Sequence, residues 1–374
     1  YAIASGSLFA WGENTNGMLG NGNTTNQASP VAVSTSGVLA GKTVTHVAAG
    51  YNHTVVRTSD GLVYAWGVND RGQLGTGNTT ASQVPVAVKM SGALSGKTVN
   101  RVFSGPASMA TIVLASDNKL YTWGGRGLGQ LGNGSWGTTL EAVQVSTTGS
   151  FVSASAGDGF SVSMASDNFI NTWGSGELGQ LGNGMDGLKP TRSAGDSLAL
   201  SNRKLVAIVA GHATPTNNLT YDTNLPFQIA LAADGTAYGW GRNDSGQIAQ
   251  GTLASVLTPL QITAGTQFSA ISAGAAHTLA LGRDGRAYGW GANGSSQLGN
   301  GGTVNATSPV AITGGSLSGK TVMGVAAGSL SSLAVTTEGK VYSWGRNANG
   351  QLGNGGTLSA SVPGEVLSTG TLAG

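Results

Sequence analysis

Hydrophobic and polar positions alternate along this chain with a period of two, in short runs separated by turn residues. In the stretch at 322–345, VMGVAAGSLSSLAVTTEGKVYSWG, three such runs predict three strands, around VAAG, SLAV and VYSW. Turns recur as SDG at 59–61, ADG at 233–235 and RDG at 283–285, and Asp-Gly pairs between apolar runs are hairpin signals. No stretch of about 12 residues has the 3.6-residue period of a helix, so the fold is predicted to be all-β.

The pattern repeats seven times, and each copy carries the pair Trp-Gly, with Trp at positions 11, 66, 123, 173, 240, 290 and 344. A glycine-rich loop of the GQLGNG type follows each pair, and a further apolar run, such as PVAV at 85–88, adds a fourth strand. Four short antiparallel strands in seven repeats predict a seven-bladed β-propeller of four-stranded antiparallel blades. We therefore predict a single domain over residues 1–374, with repeats of about 50–57 residues and an insertion at 212–226.

The two ends of the chain together fall short of a full repeat. Tyr1 aligns with Val56, inside the second strand of a repeat, and only 30 residues follow Trp344. The seventh blade is therefore predicted to be incomplete in this chain, lacking one strand and part of another. Two explanations stay open: the missing residues flank the chain, or a neighbouring molecule donates the strand and links subunits into a filament.

The repeat resembles that of the regulator of chromosome condensation repeat proteins. The resemblance is clearest at 271–301, ISAGAAHTLALGRDGRAYGWGANGSSQLGNG, and it extends over nearly the whole chain. It implies a seven-bladed propeller and does not imply one function. Members of the family include a nucleotide exchange factor on chromatin, a plant ultraviolet photoreceptor, ubiquitin-ligase modules and secreted bacterial proteins, among them a β-lactamase inhibitor. Composition favours a member of the secreted or surface-exposed bacterial type.

One stretch, GGSLSGKT at 314–321, fits the phosphate-loop pattern at every position. Similar stretches, SGVLAGKT at 36–43 and SGALSGKT at 91–98, lie at equivalent places between repeats. A phosphate loop needs a helix after it, whereas a strand is predicted here, and no Asp comes after Thr321 to hold magnesium. We interpret all three stretches as blade-linking turns and predict no cofactor.

Composition narrows the classes of function. Cysteine is absent, which excludes disulfides and thiolate chemistry, and no apolar run is long enough to predict a membrane span. Only 9% of the residues are charged and the 18 basic residues are scattered, which argues against a nucleic-acid partner. The His and acidic residues form no catalytic or metal-ligating pattern, so neither an enzyme nor a metal site is predicted. Low charge and the lack of cysteine favour an extracellular or cell-surface location.

We predict a non-enzymatic scaffold that binds a protein partner or copies of itself. The alternative is a regulatory propeller that binds one defined protein, as an exchange factor or an enzyme inhibitor does. The loops after Trp-Gly are either contact loops or a solvated rim, and the insertion is either a binding loop or a tolerated one. The candidate contact residues are Glu13, Asn69, Arg71, Arg126, Glu177, Arg242, Asp244 and Arg346 in the loops, and His212, Tyr221 and Asp222 in the insertion.

Overall fold

The computed structural model describes residues 1–106, 108–125, 127–147, 149–176, 179–182, 191–193, 200, 203–211 and 226–367. Within these ranges the chain forms seven antiparallel sheets, six of four strands and one of three. The first strands of successive four-stranded sheets contact one another, so they lie nearest a common axis and the sheets radiate from it as blades. The predicted seven-bladed propeller is confirmed.

The strands follow one another in chain order within each blade. Blades 1 to 3 contain β1 (Ala2–Ala4), β2 (Ser7–Gly12) and β3 (Gln27–Ala32), then β4 (Val44–Ala49), β5 (His53–Thr58), β6 (Val63–Gly67) and β7 (Ser82–Ala87), then β8 (Val99–Phe103), β9 (Ala110–Ala115), β10 (Leu120–Gly124) and β11 (Thr139–Gln144). Blades 4 and 5 contain β12 (Phe151–Ala156), β13 (Phe160–Ala165), β14 (Ile170–Gly174) and β15 (Thr191–Ser193), then β16 (Leu205–Gly211), β17 (Phe227–Ala232), β18 (Ala237–Gly241) and β19 (Val256–Gln261). Blades 6 and 7 contain β20 (Phe268–Ala273), β21 (His277–Gly282), β22 (Ala287–Gly291) and β23 (Ala306–Ala311), then β24 (Val322–Ala327), β25 (Ser331–Thr336), β26 (Val341–Gly345) and β27 (Ala360–Glu365). Two 3-10 helices, Gly92–Leu94 and Gly315–Leu317, precede blades 3 and 7.

The three-stranded blade is the first along the chain, not the seventh as the sequence predicted. The strand order in this sheet is β1-β2-β3, whereas β24 to β27 give the blade of Trp344 its full four strands. Comparison with blade 2 shows that, in the part of the chain that the structure describes, the inner strand equivalent to β4 has no counterpart in this sheet. The predicted deficit of one strand and part of another is correct in size, since β1 has three residues and β5 has six.

The hairpin of blade 1 also shifts the predicted alignment by one residue. Ser5 and Gly6 form a two-residue turn with φ of 49° and 80°, and Ala4 pairs directly with Ser7. Such positive values at both central residues match the twist of an antiparallel pair. Because this turn is one residue shorter than the SDG turns, Ala2, rather than Tyr1, occupies the position of Val56.

The fourth strands can contain proline because they lie at the outer edge of each blade. Pro85 lies where the register of β6 with β7 shifts, between the pairs Ala65–Val86 and Gly67–Ser82. Proline lacks an N–H and is tolerated only at sheet edges and irregularities. The fourth strand is the outer edge of each blade, so a missing donor there breaks no ladder.

Adjacent blades are joined by a repeated arrangement that we call the tryptophan lock. The indole N–H of Trp123 in blade 3 donates to the main-chain carbonyl of Gln73, in the GQLG loop of blade 2, at 3.0 Å. The hydroxyl of Thr111 donates to the same carbonyl at 3.1 Å. Equivalent indole bonds join Trp66 to Met18, Trp173 to Gln130, Trp290 to Gln247 and Trp344 to Gln297.

A glycine of the loop makes room for the indole ring. Gly75 has φ of +66°, and a Cβ built there would lie 2.7 Å from Nε1 of Trp123. A Cβ at Gly75 would therefore clash with the ring of Trp123, at a backbone conformation that favours glycine. Six of the seven loops have glycine at this position, and the loop of blade 5 instead has Ala249, with φ of +51°.

The same lock closes the ring between the last blade and the first. The indole N–H of Trp11 donates to the carbonyl of Gln351 at 3.0 Å, across 340 residues of sequence. Beside it, the amide of Gly355 donates to the carbonyl of Ala28 at 2.8 Å. Blades 7 and 1 are therefore joined although blade 1 has three strands.

The lock is altered between blades 4 and 5. Gln228 stands where five other locks have Ser or Thr, and its amide donates to the carbonyl of Gln180. Among the described residues the indole N–H of Trp240 has no hydrogen-bond partner. The longer Gln side chain thus takes over the acceptor that the indole uses elsewhere.

This difference gives a matched pair of substitutions. Trp123→Phe removes a buried hydrogen bond together with part of the ring, whereas Trp240→Phe removes only part of the ring. Because a buried hydrogen bond contributes about 1 kcal/mol, Trp123→Phe should lower the free energy of unfolding by about 1 kcal/mol more than Trp240→Phe does. Urea unfolding of the two variants measures the difference, and equal losses would show that the indole bond does not stabilise the ring.

Candidate functional site

The loops after Trp-Gly have a buried framework residue at the third position after Trp. Asn69 is fully buried, and its amide donates to the carbonyls of Asn78 at 2.9 Å and Thr80 at 3.0 Å. Its side-chain oxygen accepts from the amide of Leu74 at 2.9 Å. Asn14, Asn293 and Asn347 make the same three kinds of bond. Asn69 therefore has no exposed surface with which to contact a partner, and its side chain holds the loop together instead.

Four of the other predicted contact residues do lie on the surface. Glu13, Arg71, Asp244 and Arg346 are exposed, and Arg242 is half-buried. Arg242 forms an ion pair with Asp244, and Arg71 lies 3.8 Å from Asp70. They lie in loops of four blades, 1, 2, 5 and 7, at the end of the propeller where Trp-Gly occurs, so a partner lying on that end could contact several of them together.

Five predicted contact residues fall in parts of the chain that the structure does not describe. These are Arg126, Glu177, His212, Tyr221 and Asp222, and the insertion at 212–226 is undescribed up to residue 225. Their role as contact residues stays a prediction.

The buried histidines His53 and His277 occupy the same place in their repeats and belong to the framework. The Nε2 atom of His53 lies 3.0 Å from the hydroxyl of Thr111. Because that hydroxyl donates to Gln73, it accepts from His53, which places the proton on Nε2. Gly50 makes room for the ring, since a Cβ there would lie 2.1 Å from its Cε1 atom. His277 makes the equivalent bond to Ser332, at 3.1 Å.

The phosphate-loop-like stretch is a blade-linking turn, as predicted. It connects β23 to β24 through a single 3-10 turn at Gly315–Leu317, and a strand follows it. The ammonium of Lys320, which would contact phosphate in a nucleotide site, instead lies 2.8 Å from the carboxylate of Glu338. Lys42 pairs in the same way with Asp60 at 2.5 Å, and hydrogen bonds from Lys42 and Thr58 lower the pKa of Asp60 to about 2.

The inner edge of blade 1 is the largest departure from the repeat. In the other six blades the strand equivalent to β1 pairs on both sides, whereas β1 pairs only with β2 in the described chain. Leu333 and Val335 of blade 7 are half-buried, while Leu279 and Leu281 at the same positions of blade 6 are buried against blade 7. Ile3 is 38% exposed. An unpaired backbone edge therefore lies beside apolar side chains that are covered elsewhere.

Two other kinds of site are absent from the described ranges. No group of three or more His, Cys, Asp or Glu side chains is placed to hold a metal ion. No helix in that part of the chain is long and apolar enough to cross a membrane.

Comparison with known proteins identifies the repeat. The model of the regulator of chromosome condensation (RCC1) repeat matches residues 234–281, 284–335 and 338–371, and the Alsin RCC1-like domain matches residues 1–117. The ultraviolet-B receptor UVR8 of Arabidopsis thaliana is 30% identical over 367 residues, 97% of this chain. The chain belongs to the RCC1 repeat family.

The RCC1 relatives are longer than this chain. It covers 66% of UVR8 and 5% of the E3 ubiquitin-protein ligase HERC2 of Homo sapiens, which is 30% identical over 282 residues, or 74% of the chain. Both relatives are eukaryotic, so they give no support to a bacterial-type member, and that origin stays a prediction.

Solved structures share the RCC1 propeller. Prp20p from Saccharomyces cerevisiae superposes with a TM-score of 0.81 at 22% identity, covering 99% of this chain and 88% of its own. Human WBSCR16 superposes with a TM-score of 0.79 at 20% identity, covering 96% and 94%. At these identities the likeness concerns the fold.

The framework role of Asn69 can be separated from surface contact. Asn69→Ala leaves two carbonyls and one amide of the loop without their partners, so it should lower the free energy of unfolding by about 2–4 kcal/mol. Arg71→Ala, two residues away and exposed, should change it by less than about 0.5 kcal/mol. Thermal or urea unfolding gives both values, and a mild effect of Asn69→Ala would mean that water replaces the amide.

His53 makes stability depend on pH. Burial lowers the pKa of His53 to about 4, below the value near 6.5 of an exposed histidine. The unfolded chain therefore binds a proton first as pH falls, and stability that is complete above about pH 6.5 declines towards pH 4. From pH 7 to 4.5 this residue should cost about 2 kcal/mol.

His53→Phe is the matched variant, because Phe160 and Phe227 fill this position in blades 4 and 5. It cannot titrate, so the loss of stability between pH 7 and 4.5 should shrink by about 2 kcal/mol in urea unfolding. An unchanged pH dependence would place the titration on another group.

Proposed function

We propose that this RCC1 propeller is a protein-binding scaffold that adds an extended segment of a second molecule to the open inner edge of blade 1. The observation that carries the proposal is the three-stranded sheet, in which the edge strand β1 pairs only with β2 among the described residues and lies next to half-buried Leu333 and Val335. Unpaired strand edges of this kind bind other chains through main-chain hydrogen bonds.

The inner strands of the four-stranded blades indicate which kind of segment would fit beside β1. In β20, Phe268, Ile271 and Ala273 are buried, and the residues between them are more exposed. A segment with apolar residues at its first, fourth and sixth positions, in the VxxVAAG pattern, would cover Leu333 and Val335 in the same manner. The chain itself carries such segments, so a neighbouring copy is the partner we propose, and repeated head-to-tail addition would form a filament.

The location of the protein outside the cell or at its surface is part of the same proposal. Low charge and the absence of cysteine favour an extracellular or cell-surface assembly. Fractionation of the source cells, followed by detection of the protein in the medium or at the surface, tests this point independently of assembly.

Light scattering tests the proposed assembly through the open edge of blade 1. The particle mass should rise with protein concentration, and a peptide with the sequence of residues 322–328, VMGVAAG, should lower it by occupying the edge. A control peptide with Asp in place of Val325 should have no effect, since a carboxylate would be buried against apolar side chains. A monomer at all concentrations that does not bind the peptide contradicts the proposal, as does a longer native chain that fills the edge itself.

A regulatory function is the second candidate. It is favoured by the solved relative Prp20p, which is described with its binding to Gsp1p and histones, and by the exposed charges Glu13, Arg71, Asp244 and Arg346 at the Trp-Gly end. Saturable binding of one purified protein by a monomer, lost in a variant with all four residues changed to Ala, would support this candidate instead.

A further inference from the structure

One position in the second strand of the repeat is apolar in every blade except blade 2. There it is Arg57, which pairs with His46 between β5 and β4. The residues at this position in the other blades are Ile3, Leu114, Met164, Leu231, Leu281 and Val335. Packing between blades favours an apolar side chain here, so the guanidinium of Arg57 needs another explanation.

Two hydrogen bonds hold the guanidinium of Arg57 in place. Its Nε donates to the carbonyl of Val99 at 2.7 Å, across the junction with blade 3, and its Nη1 donates to the hydroxyl of Thr45 at 2.8 Å. Two of its five N–H donors are thereby used, and three remain. Both acceptors are neutral, so these bonds fix the position of the positive charge without compensating it.

The ring of His46 shares the hydroxyl of Thr45 with this guanidinium. That hydroxyl donates to the carbonyl of Arg57 at 3.1 Å, so it accepts from Nδ1 of His46, which lies 3.2 Å away. The proton of the neutral ring is therefore on Nδ1. Among the described residues Nε2 has no hydrogen-bond partner, and it is the nitrogen that would take up a second proton.

Arg101 of blade 3 adds a second guanidinium. It follows the bulge of β8 as His46 follows the bulge of β4, so the two residues occupy equivalent places on neighbouring inner strands. Burial, and then the positive charges of Arg57 and Arg101, lower the pKa of His46, so both arginines are close enough to act on the ring. We call His46, Arg57 and Arg101 the arginine cluster.

The positive charge of the arginine cluster has no acidic partner in the described chain. No Asp or Glu carboxylate of that part of the chain lies within 4 Å of Arg57 or Arg101. Arg101 is exposed, and Arg57 and His46 are half-buried. The cluster is thus open to solvent where the inner strands begin, at the end of the propeller opposite Trp-Gly.

We propose that the arginine cluster binds the phosphate group of a phosphate monoester. Arg57 would donate to phosphate oxygens through its remaining N–H groups, Arg101 would supply the second guanidinium, and His46 would donate from Nε2 once protonated. A phosphate monoester carries about 1.5 to 2 negative charges at pH 7, which matches two arginines better than the single charge of a carboxylate or a phosphodiester does. The proposal is independent of strand addition at blade 1.

Inorganic phosphate is the first probe of the arginine cluster. Added to the full chain at low ionic strength and pH 7, it should shift the NMR signals of the His46 ring in a saturable way. The ring of His53 is buried and bonded to Thr111, so its signals should not move. Absence of a saturable shift at His46, or an equal affinity for acetate at the same ionic strength, overturns the proposal.

Arg57→Leu is the variant that tests the cluster, because leucine occupies this position in blades 3, 5 and 6. It should fold and bind phosphate about tenfold more weakly, since the fixed guanidinium is lost. Arg286→Leu is the matched control, because Arg286 is an exposed arginine in the hairpin of blade 6, and its loss should leave the affinity unchanged. Equal affinities of the two variants contradict the proposal. Arg101→Ala changes an exposed side chain and should weaken binding severalfold, so it gives the same test if Arg57→Leu does not fold.

Two model compounds distinguish the sources of the phosphate. The peptide acetyl-Gly-phosphoserine-Gly-amide should bind more tightly than inorganic phosphate if a phosphorylated partner protein supplies the group, and no more tightly if a free phosphate does. Dimethyl phosphate, a diester with one negative charge, should bind about tenfold more weakly than either. Equal or tighter binding of the diester would contradict a monoester site and indicate a nucleic-acid backbone instead.

The titration of His46 is a readout that a purely structural role of Arg57 would not move. In the described chain Arg57 on β5 and Arg101 on β8 are the charged groups that face its ring, and the hairpin acids Asp60 and Asp117 are each paired with a lysine. A bound anion should raise the pKa of His46, because it stabilises the protonated ring. Sulfate is the probe, since it carries two negative charges at every pH used, and the rise should disappear in Arg57→Leu. An unchanged pKa of His46 at saturating sulfate contradicts its place in the site.

Discussion

The propeller depends on one main-chain carbonyl at each junction between blades, which accepts two hydrogen bonds. In most locks the carbonyl of the loop Gln, or of Met18 in its place, receives both the indole N–H and a Ser or Thr hydroxyl from the next blade. A carbonyl has two lone pairs, so both donors can be satisfied in a buried place where an unpaired one would be costly. Packing alone would let blades slide, whereas this shared acceptor fixes how each blade meets the next. The loop framework around Asn69 and the His53 bond both serve to hold that carbonyl in place.

Much of the propeller fold can be predicted from the sequence, because seven copies of one repeat can be compared with one another. Seven Trp-Gly pairs, hairpin turns and short apolar runs predict strand number and blade number, since no other arrangement buries all the sheets. The GKT stretches were interpretable for the same reason: three copies between repeats point to a connecting turn more strongly than one copy points to a nucleotide. The position of the incomplete blade did not follow, because the same deficit at the two ends fits a gap in either blade.

The contact residues were harder to predict, and Asn69 shows why. It is polar and follows Trp-Gly, where neighbouring positions vary, so the sequence alone predicts a contact residue. Its burial results from a loop that folds back to residues nine and eleven positions later, and polarity gives no sign of that. A signal was nevertheless present, since Asn recurs three residues after Trp in five repeats, and only Arg126 and Gly176 replace it.

Ring closure has a consequence for how the molecule folds. The other indole bonds of the lock join residues 43 to 50 positions apart, whereas Trp11 and Gln351 are separated by 340. Neighbouring blades can therefore assemble in sequence order, and the contact between blades 7 and 1 must form after the intervening chain has been organised. Closing the longer loop from a disordered chain would cost only about 2 kcal/mol more than closing a short one, because loop entropy grows with the logarithm of length. The junction of blades 7 and 1 is consequently expected to be the last of the blade junctions to form.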